Sequence, residues 1–350
     1  MNLRHLAFSA IFKAIAATGA DRWGRGLAQG RGVILTLHHV RPQGAGGFRP
    51  NGLLEITPDF LDRTLGLIHA EGYDLVSLDD ALARLAAPQT GRFFVALTFD
   101  DGYRDNVEQA WPVLAKHGVP WTLFVTPGFA DRTARLWWLE LEEALRALPA
   151  ISLSLPDGPF TARTARDSEK QRAFDRLYWR LRKQPEAILL SAISDLTAQA
   201  GIDPAALVER ECLPWETLRA LAGAPGVTIG AHTLTHPMLA KHDEAFARAE
   251  IVDSRTRLEA ELGMPIRHFA YPVGDPTSAG PREFALARDA GFASAVTTRP
   301  GHLFKEHADH LHALPRVSLN GLHQSDEAVK ALLSGLPFWL WNRGRRVNGR

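Results

Sequence analysis

Two short stretches hold residues whose types and spacing could do hydrolytic chemistry. The first is Thr98-Phe99-Asp100-Asp101-Gly102-Tyr103, in which two adjacent acids end an apolar run. The second is Gly230-Ala231-His232-Thr233-Leu234-Thr235-His236-Pro237, with histidines four positions apart. In a regular strand, neighbouring side chains point to opposite faces. At a strand's carboxyl end that alternation lapses, and Gly102 lets the backbone turn sharply, so both carboxylates can serve one cleft. Histidines at i and i+4 meet on one face of a helical turn, a spacing that suits a divalent metal. Two imidazoles and one carboxylate leave open positions on such a metal, and the other carboxylate is free to act as a base. Each stretch alone has a plainer reading. Acids at a strand-to-helix turn often cap the helix, and a histidine pair can simply be hydrogen-bonded.

The elements around these residues decide between the readings. Before Asp100 runs the apolar stretch RFFVALTF, and before His232 runs VTIGA. Strands are also expected at VILTLHHV, 74–76, WTLFV, HFAY, ASAVTT and ALPRV. Helices are expected from Pro58, after Ser77, and over roughly 105–117, 243–262 and 281–290. Continuous apolar strands alternating with helices indicate an α/β fold with a parallel sheet covered on both faces. Ligand sites of such folds lie at the carboxyl ends of the strands, where both motifs fall. Between the two halves lies a helical segment of roughly 135–222, whose one strand signal is ISLSL (151–155). It reads as an insertion forming a lid or wall, with Trp137, Trp138, Tyr178 and Trp179 as core rather than sugar-stacking residues.

TFDDGY and HTLTH resemble the first two motifs of the NodB-homology polysaccharide deacetylases, carbohydrate esterase family 4. The resemblance covers roughly 32–128 and 213–320. It implies a distorted (β/α) barrel of about seven parallel strands with a helical insertion. It also implies that Asp100 is the catalytic base and that Asp101, His232 and His236 hold a divalent metal, most often zinc. Phe269-Ala270-Tyr271-Pro272-Val273-Gly274 resembles the third motif, in which the backbone N–H at Tyr271 helps bind the oxyanion. The arginine that many members carry in that motif is missing. Arg316, in Leu314-Pro315-Arg316, is the candidate to pair with Asp100 and keep it ionised. LTLHHV resembles the start of a subgroup that deacetylates poly-N-acetylglucosamine. That makes His38 a candidate general acid, with His39 alternating away, while Leu311-His312 fits poorly. The implied activity is hydrolysis of the N-acetyl group of a sugar or polysaccharide. The alternatives are a two-carboxylate glycoside hydrolase and a non-catalytic glycan-binding protein on the same fold.

Bulk composition narrows little. The 350 residues are 45% hydrophobic and 23% charged, ordinary for a globular enzyme. A formal net charge of +1 offers no global field for nucleic acid. One cysteine, Cys212, excludes an intrachain disulfide and is expected to be buried and inert. No uninterrupted apolar run is long enough for a transmembrane helix. Residues 1–31 are expected to form an amphipathic segment, 32–320 the barrel, and 321–350 a helix with a basic aromatic tail. Arginines beside Phe338, Trp339 and Trp341 suit peripheral membrane contact through the termini. A cytoplasmic or membrane-peripheral location is expected ahead of a secreted one.

Overall fold

The computed structural model describes residues 3–44, 46–88 and 91–347. The first two and last three residues of the terminal segments lie outside it. The main sheet has eight parallel strands, in chain order β1 (Gly32–Leu37), β2 (Asp74–Val76), β3 (Phe94–Phe99), β4 (Trp121–Val125), then, beyond the insertion, β7 (Val227–Ala231), β8 (His268–Ala270), β9 (Ser294–Pro300) and β10 (Leu314–Ser318). The insertion carries β5 (Ala150–Leu155) and β6 (Gly158–Arg163), an antiparallel hairpin. Seven strands close a ring in the order β1, β3, β4, β7, β8, β9, β10 and back to β1. β2 adds to β3 outside the ring. The ring is the distorted barrel of about seven strands that the motifs imply.

Side chains alternate across the wall with period two. Ile34, Phe94, Ala96, Phe124, Ala270, Val296 and Leu314 form a small cluster inside. The intervening residues, such as Val33, Leu35, Val95, Leu97, Leu123 and Phe269, pack under the surrounding helices. The ring is narrow, so two glycines make room for aromatic side chains. A Cβ on Gly230 would meet the Phe124 ring at 2.5 Å, and one on Gly32 would meet Phe94 at 2.4 Å. The helices begin where their caps are. Thr57 accepts the Phe60 N–H (3.2 Å) before Pro58–Ala70, and Ser77 accepts the Asp80 N–H (3.1 Å) before Leu78–Ala86.

The insertion builds a core of its own. Leu141, Leu145, Phe160, Leu177, Leu181, Ile193 and Leu196 are buried together, with Trp137 and Trp138 on the same cluster. β6 is not expected from the sequence. Its start, Gly158-Pro159, reads as a turn, yet Pro156-Asp157 joins the two strands directly, and Pro is tolerated on an edge strand. The segment after Asp101 is also less regular than the expected helix over 105–117. It begins with a π-helical turn, Asn106–Ala110, and becomes α-helical only over Trp111–Lys116.

The helix Leu3–Thr18 buries Phe12 and Ile15 against Ala328 and Ala331 of the helix Asp326–Ser334. Among the described residues, no helix is long and apolar enough to cross a membrane. The interior packing makes a prediction. Gly230→Ala should destabilise the fold by about 1–3 kcal/mol, measured by urea denaturation, because backbone and the Phe124 ring both crowd the new methyl. A stability equal to wild type would mean that the barrel interior is looser than described.

Candidate active site

Asp100 lies one residue beyond β3 and keeps the inward phase of Ala96 and Thr98. Its N–H donates to Leu37 O (3.0 Å), so the barrel ladder continues past the strand. Its carboxylate meets Arg316, which projects inward from β10. Arg316 Nη1 donates to Asp100 Oδ1 (2.7 Å) and Nη2 to Oδ2 (2.6 Å). Both side chains are buried, Arg316 at 1% exposure. The rest of the guanidinium is used as well. Nε donates to Thr297 O (2.9 Å), Nη1 also reaches Thr98 Oγ1 (3.1 Å), and the group lies over the Phe124 ring. Burial by itself would raise the Asp100 pKa. The Arg316 charge overrides it, helped by His232 and by the arginine's hydrogen bonds, and holds Asp100 below the usual carboxylate range.

Asp101 departs from the alternation altogether. It takes φ 71°, and Gly102 follows at φ 70°. Left-handed backbone is costly for a non-glycine residue and clusters at functional sites. Here it swings the Asp101 carboxylate back toward the barrel mouth. The expectation for the histidines needs a correction. His232 and His236 are not on a helical turn. They lie in an irregular loop after β7, with Thr233 at φ 60° and His236 at φ 65°. Pro237 disfavours a helical residue before it, and Thr233 Oγ1 accepts the His236 N–H (3.0 Å), closing the loop on itself. The loop still brings the two imidazoles together, with ring centroids 5.0 Å apart.

These three side chains converge. Asp101 Oδ1 is 3.4 Å from His232 Nε2 and 3.3 Å from His236 Nε2. All three ligand atoms lie within 4.8 Å of one another, and all three residues are buried. The chemistry of the set fits a cation. Among the described residues none donates a hydrogen bond to Asp101 Oδ1, a buried acceptor whose close neighbours are ring nitrogens. His232 Nδ1 donates to Ala270 O (2.7 Å), which leaves the Nε2 lone pair facing Asp101. Bonds of about 2.0–2.1 Å around a tetrahedral cation place donors roughly 3.3 Å apart, which matches both measured separations. Burial opposes the charge on Asp101, but the two imidazoles outweigh it and hold Asp101 well below its usual pKa. Burial lowers the His232 pKa, while the contact with Asp101 and the charge of Asp100 raise it to a net increase.

The insertion supplies part of the wall. The Trp138 ring lies 4.8 Å from the His236 ring, with Phe129 at 5.7 Å on the same imidazole. Trp138 is therefore core, as expected, but core against a candidate ligand, whereas Trp179, also expected in the core, is exposed. Tandem aromatics at a helix start carry no signal of that position. Cys212 is buried, and burial pushes its thiol well above the usual range, with Asp101 adding to the effect. Both effects disfavour the reactive thiolate.

His38 lies one residue beyond β1, on the cleft side. Its Nε2 is 3.9 Å from Asp100 Oδ2, and its side chain is 20% exposed. Burial lowers its pKa, and the charges of Asp100 and Asp101 offset that lowering only in part. His39 turns the other way, stacks on Tyr103 and contacts Asp105 (2.8 Å). His312 Nε2 donates to Phe292 O (2.8 Å), a structural bond. Tyr271 is buried on the outer side of the wall, where its hydroxyl donates to His312 O (2.9 Å). Its backbone N–H donates to Val296 O (3.2 Å) in the sheet ladder.

The polysaccharide deacetylase family model matches residues 87–294, more than half of the chain. The chain belongs to the polysaccharide deacetylase family, whose members are hydrolases of carbon–nitrogen bonds. A putative polysaccharide deacetylase of Bacillus subtilis, YxkH, is 37% identical over 59 residues, 17% of this chain and 21% of that protein. The match thus spans about a fifth of that relative's length. Among solved structures, the Streptococcus pyogenes deacetylase PplD, in complex with acetate, is similar with TM-score 0.55 and 17% identity. The match covers 87% of this chain and 96% of that one. IcaB from Ammonifex degensii gives TM-score 0.53 and 17% identity over 88% and 97% of the two chains. A de-N-acetylase from Aggregatibacter actinomycetemcomitans gives TM-score 0.53 at 12% identity, covering 86% and 99%. At these identities the likeness establishes the fold alone.

The electrostatics of the site can be tested in two ways. Because Asp100 is lowered, its stabilising contribution is present above the ordinary carboxylate range and is lost as pH falls through its depressed pKa. Arg316→Met strands a buried carboxylate, so it should cost about 3–5 kcal/mol and raise the Asp100 pKa. The acid-side loss of stability, followed by denaturation across pH, should move upward. An unmoved acid limb would contradict the pairing. Second, zinc affinity measured by calorimetry should fall as pH drops through the histidine range, because protons on His232 compete with the cation. His236→Ala should abolish tight binding.

Proposed function

We propose that this protein is a divalent-metal-dependent deacetylase that hydrolyses the N-acetyl group of an N-acetylated sugar or polysaccharide. The observation that carries the proposal is the pairing of two differently held aspartates at one barrel mouth. Asp100 is locked ionised by Arg316, and beside it Asp101 faces two imidazoles with an unsatisfied oxygen.

Asp101, His232 and His236 would hold the cation, with zinc the family's usual metal. Such a cation supplies Lewis acidity to the acetamide carbonyl and to the attacking water. Asp100 accepts the proton from that water. Its bidentate contact with Arg316 keeps it charged and fixes its orientation, so little reorganisation is needed in the reaction. His38, on the open side of Asp100, is the proposed donor of a proton to the departing amine. Acetate and the free amine are then the products. The Tyr271 N–H is the proposed oxyanion donor, and it serves in that role only by sharing or leaving its bond to Val296 O.

The glycosidase alternative demands one carboxyl group kept protonated by a raised pKa. Both Asp100 and Asp101 are shifted the other way. The binding-protein alternative leaves the buried Arg316–Asp100 pair, costly to maintain, without a task.

Acetate release from N-acetylglucosamine oligomers is the direct test. Asp100→Asn should retain zinc and lose about 10²–10⁴-fold in kcat, while His232→Ala should lose zinc as well. His38→Ala should lower kcat with little change in zinc content. Near-normal turnover by Asp100→Asn would remove the base from this scheme. A zinc-loaded wild-type protein that releases acetate from no acetylated sugar would favour glycan binding instead.

A further inference from the structure

The two ends of the chain meet in space and expose apolar surface together. Five of the ten large hydrophobic side chains exposed among the described residues belong to them: Ile11, Trp23, Leu27, Leu340 and Trp341. Trp23 is 73% exposed and Trp341 is 62% exposed. Monomeric proteins scatter such residues singly, and a concentration of them marks an interaction surface.

The convergence is built by close packing. The helical turn Ala20–Trp23 seats on the helix Asp326–Ser334, and the next turn, Arg25–Ala28, seats on the helix Leu336–Trp341. A Cβ on Gly24 would already lie 3.4 Å from Leu336, and one on Gly335 would strike Ala28 O. Gln29 Nε2 donates to Leu333 O (2.9 Å), tying the two ends again. Trp23 and Leu27 lie one turn apart beside this contact, and Leu340 lies one turn beyond Leu336. The Trp23 indole N–H donates to Thr18 O (3.2 Å), so its polar atom is satisfied while the ring stays in solvent.

The charge around these residues is one-sided. Arg22, Arg343 and Arg345 are exposed and make no ion pair among the described residues. The nearby acids are committed. Asp21 is buried, Glu71 pairs with Arg25 (2.8 Å), and Glu306 pairs with Arg346 (3.0 Å). Exposed tryptophan and leucine rimmed by such arginines match the interfacial region of an anionic bilayer. We infer that this face docks the protein on an anionic phospholipid surface, with Trp23, Leu27, Leu340 and Trp341 entering the headgroup layer and the arginines pairing with lipid phosphates. The face adjoins Gly30 and Arg31, which lead into the amino end of β1. Asp100 and His232 lie at the carboxyl ends of their strands. Docking therefore leaves the catalytic mouth open to solvent on the opposite side.

Vesicle flotation of the full chain tests this inference. Binding is expected to vesicles of phosphatidylcholine with phosphatidylglycerol, and much less to phosphatidylcholine alone. High salt should weaken it. The pair Arg343→Glu and Arg345→Glu should reduce partition by about 10-fold or more. Trp23→Ser with Trp341→Ser should reduce it comparably, with acetate release from soluble oligomers unchanged. No partition to anionic vesicles by the wild-type chain would overturn the inference. So would a wild-type dimer in sedimentation, without lipid, that the tryptophan variants dissolve, since that would assign the face to a second copy.

Discussion

The bidentate contact between Arg316 and Asp100 inside the barrel is the constraint around which the rest is arranged. A carboxylate in this position is removed from water, and burial alone would neutralise it. A guanidinium with its remaining donors satisfied by Thr297 O and Thr98 Oγ1 keeps it charged. That solution needs β3 and β10 to present their inward faces at one level, with β1 between them. It also needs space for a large cation, which the narrow ring supplies near its mouth, above Phe124. A buried ion pair adds little to stability over an apolar substitute. Its value here is a carboxylate of fixed charge and fixed direction.

The second carboxylate is held by opposite means. Among the described residues Asp101 has no guanidinium partner and no hydrogen bond on Oδ1. It is aimed by backbone strain, and so is the histidine loop. Asp101, Thr233, His236 and Val273 are non-glycine residues with left-handed φ on the three loops that meet here. Four such residues in one place would be a burden in a passive scaffold. At a strand end they turn side chains that the pleat would scatter toward a common point. Strained backbone for the candidate ligands and a rigid ion pair for the proposed base divide two adjacent acids that share one peptide bond.

The insertion is part of the site as well as an ornament on the barrel. Its core packs Trp138 against His236, and Arg182 reaches across to Asp275 (2.9 Å), just past the Tyr271 motif. One imidazole nitrogen of His236 lacks a hydrogen-bond partner, so aromatic packing rather than a carbonyl orients that ring. His232, by contrast, is oriented by Ala270 O. The two candidate ligands are thus positioned by different parts of the chain, the barrel wall and the insertion.

Much is legible in the sequence because it is local. Apolar runs of period two followed by helical runs specify alternating strands and helices whatever their final neighbours. The caps at Thr57 and Ser77 and the motifs at Asp100–Gly102 and His232–His236 are likewise short-range. The sequence can nominate Arg316 as the partner of Asp100, but only ring closure establishes the pair, because the two residues lie more than two hundred positions apart. The helical turn expected for the histidines fails because i, i+4 spacing reports only that two residues can meet, and left-handed backbone before Pro237 is another way to bring them together. The second strand of the insertion hairpin is hidden by a proline that only an edge position tolerates. Local propensity is written residue by residue, whereas which side chain is buried against which is settled when the wall closes and the ends of the chain come together.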